Sequence, residues 1–207
     1  WVDDYYGVDT CYGDGDPWDD NGHGTHTSGT IAAAGDNDMG VTGVSWSTKV
    51  MALKFLDAGG YGSDSAAIDA IYYIIDQKVN HGVNVVAINA SWGGGGYNEV
   101  LEQAIKDAGD AGIIFVAAAG NSGLDVDANA NYPSGYDVPT IVSVGATDDN
   151  DQPVSFSNYG AQNVDLFAPG VSIVSTVPGI ADGVQPGDYF YDGMEEGESN
   201  WTVEGGV

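Results

Sequence analysis

The sequence predicts a doubly wound α/β fold, a mainly parallel sheet with helices on both faces. Three observations carry this prediction. Short apolar runs of the buried-strand type recur at 83–90, 113–119 and 140–146. Segments of helical spacing alternate with the first of them. Glycine clusters close the strands, at Gly59, Gly60 and Gly62, at Gly93, Gly94, Gly95 and Gly96, and at Gly120 and Gly123. Strand, helix, strand, helix, strand at this pitch reads as βαβ units with right-handed crossovers.

Taken in order, residues 1–22 are acidic, aromatic and glycine-rich without a helical period, and are read as loop. A run of small residues over 21–33 opens a helix expected to end near Gly35, before a tight polar loop over 35–41. Residues 49–56 read as a strand. Ile68, Ile71, Tyr72, Ile75 and Val79 then fall at helical spacing, with Ser63 or Asp64 as N-cap and Gly82 as the stop. Leu101, Ala104, Ile105 and Ala108 form the next helical stripe, capped by Asn98. Further strands are expected at 140–146 and 164–168, and 171–177 is strand-like. The division is a domain over 1–178, followed by 179–207 as a loop or the start of an inserted β-rich domain.

Hydrophobic residues make up 43% of the 207, enough for a substantial core. The formal charge is −27, with 31 acids against Lys49, Lys54, Lys78 and Lys106 and no arginine. Such a balance excludes ordinary phosphate-backbone binding, which needs cations to release counterions, so no nucleic-acid partner is expected. It also disfavours anionic membranes. High-salt adaptation, an extracellular solvated surface and calcium-binding carboxylates are the compatible explanations. A single Cys11 cannot form an internal disulfide. No apolar run reaches the roughly 20 residues of a membrane span, so no membrane insertion is expected. The opening Trp1-Val2-Asp3-Asp4 reads like the middle of a longer chain.

The chemistry centres on Asn21-Gly22-His23-Gly24-Thr25-His26. Gly22 and Gly24 let the backbone turn tightly around one imidazole at a helix mouth, where a histidine can take and return a proton near neutral pH. In open parallel sheets ligands bind beyond the carboxyl ends of the strands, where the glycine clusters lie. The glycines after Ala90 do not form a nucleotide cradle: counting from Gly93, the third glycine of G-x-G-x-x-G would fall on Asn98, and no Gly-Lys-Ser/Thr follows. They suit peptide recognition instead. Ser91, Trp92, Gly93 and Gly94 can lie extended with a free edge, and Gly60, Tyr61 and Gly62 can supply an opposite edge. Asn121, after Ala118, Ala119 and Gly120, is a candidate donor to a developing oxyanion, with the small residues leaving a side-chain pocket.

These motifs resemble the subtilisin-like serine proteases, the subtilases. Residues 21–30 resemble their histidine motif, Ser91-Trp92-Gly93-Gly94 their substrate-binding segment, and Ala118-Ala119-Gly120-Asn121 their oxyanion segment. Phe156-Ser157-Asn158-Tyr159-Gly160 and Leu166-Phe167-Ala168-Pro169-Gly170 resemble later signatures, in the same order. The similarity covers about 5–178. It implies a three-layer fold, His23 as general base, Asn121 as oxyanion donor, a polypeptide substrate, secretion, and a pro-peptide or further domains in the full-length chain. His26 matches a structural position. The family's Gly-Thr-Ser-Met serine segment is not found, and Asp9 lies too close to His23 to match the triad acid. The chain is therefore expected to be a catalytic-domain fragment, cut at both ends, inactive by itself and exposing apolar sheet.

Asp9, Asp14 and Asp16 in a glycine-rich loop suit a hard cation with oxygen ligands, and some subtilases bind calcium there. A second family-like calcium loop would use Asn37 with Met39 and Val41. The alternatives are a non-catalytic peptide-binding relative and a calcium-stabilised extracellular module.

Overall fold

The computed structural model describes residues 7–38, 40–178, 189–191 and 202–204. In chain order the elements are β1 (Gly7–Asp9), α1 (His23–Ala32), β2 (Ala52–Lys54), α2 (Asp64–His81), β3 (Ala87–Ala90), α3 (Glu99–Asp110), β4 (Ile114–Ala118), β5 (Ile141–Thr147), β6 (Leu166–Pro169), β7 (Val174–Ser175), β8 (Tyr189–Tyr191) and β9 (Thr202–Glu204). They fall into two compact units. One holds the described residues up to Ala66 and those from Ser172 onward; the other runs over Ala67–Val171.

In the first unit β1 pairs in parallel with β2, Asp9 standing opposite Lys54. The loop expected over 1–22 therefore contains a strand, too short for alternation to reveal it. Helix α1 begins after Gly22, whose φ of 108° only glycine adopts freely. It stops at Ala32 rather than near Gly35. The reason is local: the carbonyls of Thr30, Ile31 and Ala33 accept N–H bonds from Val44, Ser45 and Gly43, which takes over the helix end.

The same helix is held by the segment 173–176. Ser175 Oγ donates to His26 O at 2.6 Å and Thr176 Oγ1 to Thr25 O at 2.8 Å. His26 is buried, its Nε2 3.1 Å from Ile173 O, which gives it the structural role expected of it. Gly29 makes this approach feasible, because a Cβ there would lie 2.0 Å from Thr176 Oγ1 and 2.6 Å from Ser175 Oγ. Gly29→Ala is expected to lower stability by about 2–3 kcal/mol, the cost of overpacking a closed contact, read as a lower thermal midpoint. An unchanged midpoint would show that the contact yields. Strand β7 continues into an antiparallel sheet of order β7-β8-β9, although the sequence after 178 offers no clear partner strand. The rest of 179–207 lies outside the described residues.

The second unit carries a four-stranded parallel sheet of order β3-β4-β5-β6. Its strands pair in the order in which they occur in the chain, as the tendency of consecutive strands to neighbour favours. One face of the central strands is buried through Phe115, Ala117 and Ser143; the other carries Ile114, 50% exposed, and continues to Leu166 of the edge strand β6, 46% exposed. The run 83–90 was expected to be a fully buried strand. Only its last four residues enter the ladder, and Ala87 and Asn89 are exposed. Val83 N–H instead closes the end of α2 on Gln77 O, and Val85 N–H turns back to Val83 O.

Asn98 caps α3 as expected, accepting from Val100 N and Leu101 N. Ser63 Oγ accepts from Ala66 N to cap α2, and Gly82, at φ 73°, ends it. The buried face of α2 is rotated from the expected stripe: Ala67, Ala70, Ile71, Ile74 and Gln77 are buried, whereas Tyr72 and Val79 are exposed. Alanines allow closer packing than the larger residues that mark the apolar stripe, and Tyr72 turns outward to donate to Asp107.

Candidate active site

His23 is the first residue of α1, and its N–H donates to Asn21 Oδ1 at 3.2 Å. Asn21 is itself tied down, Nδ2 donating to Ala58 O. The helix mouth is organised by a residue that sequence reading left unassigned. Asp19 Oδ1 accepts from Asn21 N and Gly22 N, and Asp19 Oδ2 from Thr25 N and Thr25 Oγ1 at 2.7 and 2.6 Å. Gly22 has no side chain to cap with, so Asn21 takes the N–H of His23 and the carboxylate three residues before Gly22 takes that of Thr25. Burial pushes the Asp19 carboxyl upward, but the Thr25 hydroxyl and the backbone N–H bonds outweigh it and hold it below its ordinary value.

That depression has a sign. Asp19 adds stability above the unfolded-state value of 3.8 and loses the contribution as pH falls through the lower folded value. Asp19→Ala is expected to cost about 1–2 kcal/mol at neutral pH, and the gap from wild type should close below about pH 4. Urea unfolding at several pH values measures this. A gap that persists at low pH would assign the loss to packing.

Gly60, Tyr61 and Gly62 sit in a tight turn. Asp57 N–H donates to Tyr61 O, Gly60 N–H to Asp57 O, and Asp57 Oδ1 accepts from Gly59 N and Tyr61 N. Leu56 and Gly62 close it as a bridge. The N–H groups of Gly60 and Tyr61 are thus consumed inside the turn, while the Tyr61 ring is exposed.

The proposed cation loop places Asp9 and Asp14 side by side in an antiparallel bridge. Asp9 is buried and its Oδ1 accepts from Cys11 N and Tyr12 N. Asp14 is exposed and accepts from Asp16 N. Lys54, opposite Asp9, is paired with Asp20 at 2.5 Å. Among the described residues no group of three His, Cys, Asp or Glu side chains converges on a metal position. Asn37 is exposed and Val41 half-buried, in a loop where Asp36, Asp38 and Gly40 are left-handed; Met39 lies outside the described residues.

In the second unit Ser91, Trp92, Gly93 and Gly94 directly follow β3. Gly94 N–H is held by Tyr132 O at 3.1 Å. Gly94 and Gly95 have φ of 113° and 81°, so the chain turns away sharply into a tyrosine cluster. There Tyr97 meets Tyr132 and Tyr136 edge-to-face and Tyr132 tilts against Tyr136, with centroids 4.7–5.7 Å apart. Tyr97 donates to Glu102 at 2.5 Å, and that bond, with burial, pushes its phenol up to about 12. After β4, Ala119 is buried, Ala118 and Gly120 are half-buried, and Asn121 is exposed. No hydrogen bond from the described residues engages the Asn121 amide. Gly120, at φ 105°, lets the chain turn outward at that point.

A parallel sheet, a histidine opening a glycine-bounded helix, and an amide unengaged among the described residues on the loop beyond a central strand fit a subtilisin-like α/β fold. Comparison with known proteins agrees. The subtilase family model matches residues 2–197. Subtilisin DY of Bacillus licheniformis is 43% identical over 161 residues, covering 77% of this chain and 55% of that protein. The thermophilic serine proteinase of Bacillus sp. strain AK1 is 41% identical over 173 residues, covering 84% and 40%. A crystal structure of a cold-adapted subtilisin-like serine proteinase superposes with a TM-score of 0.69 at 35% identity, over 83% of this chain and 58% of that one. The chain belongs to the subtilase family. It spans about half the length of the curated relatives it matches.

Proposed function

We propose that the protein is a secreted serine endopeptidase. His23 acts as general base, moving a proton from the attacking serine to the leaving amine, and the Asn121 amide with a backbone N–H receives the oxyanion. The serine and the triad acid lie outside this chain, so the 207 residues alone do not turn over substrate. The observation that carries the reading is the unengaged Asn121 amide at the end of β4: a binding module needs no such donor, whereas acyl transfer does. Substrate backbone pairs along 91–94, a segment that Gly94 N–H anchors to Tyr132 O, and Ala118, Ala119 and Gly120 line the side-chain pocket. The Gly60–Gly62 turn meets substrate through the exposed Tyr61 ring. Hydrolysis of a chromogenic peptide by the intact protein, and none by this chain alone, is the expected pair of results; turnover by the chain alone would overturn the assignment of the serine.

Calcium is proposed as a structural cofactor. What supports it is a carboxylate, Asp9, buried without an ion pair among the described residues, beside Asp14 and near Asp16 in a glycine-rich loop. Asn37, Met39 and Val41 are the second proposed ligand group. If an ion is bound at about a hundred times its Kd, chelation removes about 2.7 kcal/mol. Excess EDTA is then expected to lower the thermal midpoint of the intact protein by about 5–10 °C, and an unchanged midpoint would count against both loops. The charge of −27 agrees with an extracellular, salt-rich setting, where screening relieves self-repulsion.

A further inference from the structure

We infer that Asn158 is the positioning residue of the oxyanion site: one buried amide clamps the loop on both sides of Asn121 without touching it. Asn158 is only 2% exposed. Its Nδ2 donates to Ala119 O at 2.8 Å, and its Oδ1 accepts from Ser122 N at 3.1 Å and from Leu124 N at 3.0 Å. Its own N–H donates to Gly120 O at 2.8 Å. The bonded residues 119, 120, 122 and 124 bracket Asn121, which is exposed. The orientation of the Asn158 amide follows from the network, since two N–H groups face one end and a carbonyl the other.

The clamp rests on the sheet. Ser157 Oγ accepts from Ala146 N, in β5, at 2.9 Å and donates to Asn158 O at 3.0 Å. Two further backbone bonds bind the loops together, Gly123 N–H to Phe156 O at 2.7 Å and Tyr159 N–H to Leu124 O at 3.0 Å. Glycine at 120 is required on both counts: φ is 105°, and a Cβ would lie 2.4 Å from Asn158 Nδ2. Asn131 Nδ2 also donates to Ala119 O, at 3.1 Å, but it reaches only the near side of Asn121. Asn158 alone among these side chains grips both sides, so it fixes where the Asn121 amide can point. A preorganised donor costs no reorganisation when charge develops, and a small misplacement is expensive.

This inference rests on the assignment of Asn121 as oxyanion donor, and the test separates the two. In the intact protein, Asn158→Ala is expected to lower kcat by about 10–100-fold with KM within about threefold. On an Asn121→Ala background the same change is expected to cost less than about threefold, because the donor it positions is gone. Equal losses on both backgrounds, or a loss confined to KM, would overturn the positioning role while leaving Asn121 in place. Unchanged kcat in Asn121→Ala itself would overturn both. If Asn158→Ala does not fold, the isosteric Asn158→Asp, which keeps the acceptor for Ser122 and Leu124 and loses the donor to Ala119, is read in the same cycle. Failure of both to fold would make the clamp a stability element and overturn positioning.

Discussion

His23→Ala in the intact protein is expected to lower kcat by about 2 × 10⁶ with KM little changed, a magnitude known for subtilisin itself rather than one obtained from this chain. The expectation follows from what surrounds the residue. Asp19 and Asn21 spend their side chains on the backbone of the helix mouth, so the substitution leaves α1 capped and the fold intact. Neither of those caps depends on the imidazole that the substitution removes. Steady-state kinetics with a chromogenic peptide measure it, with circular dichroism as the control for folding. Residual turnover within about tenfold of wild type would exclude His23 as the base.

Asn121→Ala is the second large effect. Loss of the corresponding donor in subtilisin costs about 10²–10³ in kcat, a known value for that enzyme. Here the amide is exposed and unengaged in the described structure, so its removal disturbs no internal hydrogen bond. Stability should stay within about 0.5 kcal/mol, as for other surface substitutions. A rate loss at constant stability is the signature of a group that acts only when charge develops on the substrate. If kcat holds and KM rises, Asn121 binds substrate without stabilising the oxyanion.

Much of this could be read from residue order. The caps at Ser63 and Asn98 and the stop at Gly82 follow from side-chain chemistry that acts within four residues, which is why they are legible. The parallel strands follow from apolar runs separated by helices. What could not be read depends on contacts distant in sequence or on an unusual local solution. Strand β1 is three residues long and exists because Ala52–Lys54 pairs with it. Asp19 caps a helix that begins four residues later, outside the usual N-cap pattern. Asn158 lies in a recognised signature, but its bonds run 34–39 residues back to the oxyanion loop. The exposure of Ala87 and Asn89 came from a turn at Val83–Val85 that composition does not announce.

The seating of α1 against residues 173–176 sets an order of events during synthesis. The strands of the four-stranded sheet are consecutive in the chain and can pair as they emerge. The helix that starts at His23 can be held early by Asp19 and residues 43–45, but its seat on 173–176 must wait for residues some 147–151 positions later, as the spans of the His26, Ser175 and Thr176 bonds record. At about 5–20 residues per second that interval is on the order of 10–30 s. Closing so long a loop is also entropically delayed relative to local pairing. The residue assigned to proton transfer is therefore mounted on a helix whose ends are secured early and whose flank is secured only when the 173–176 strap arrives.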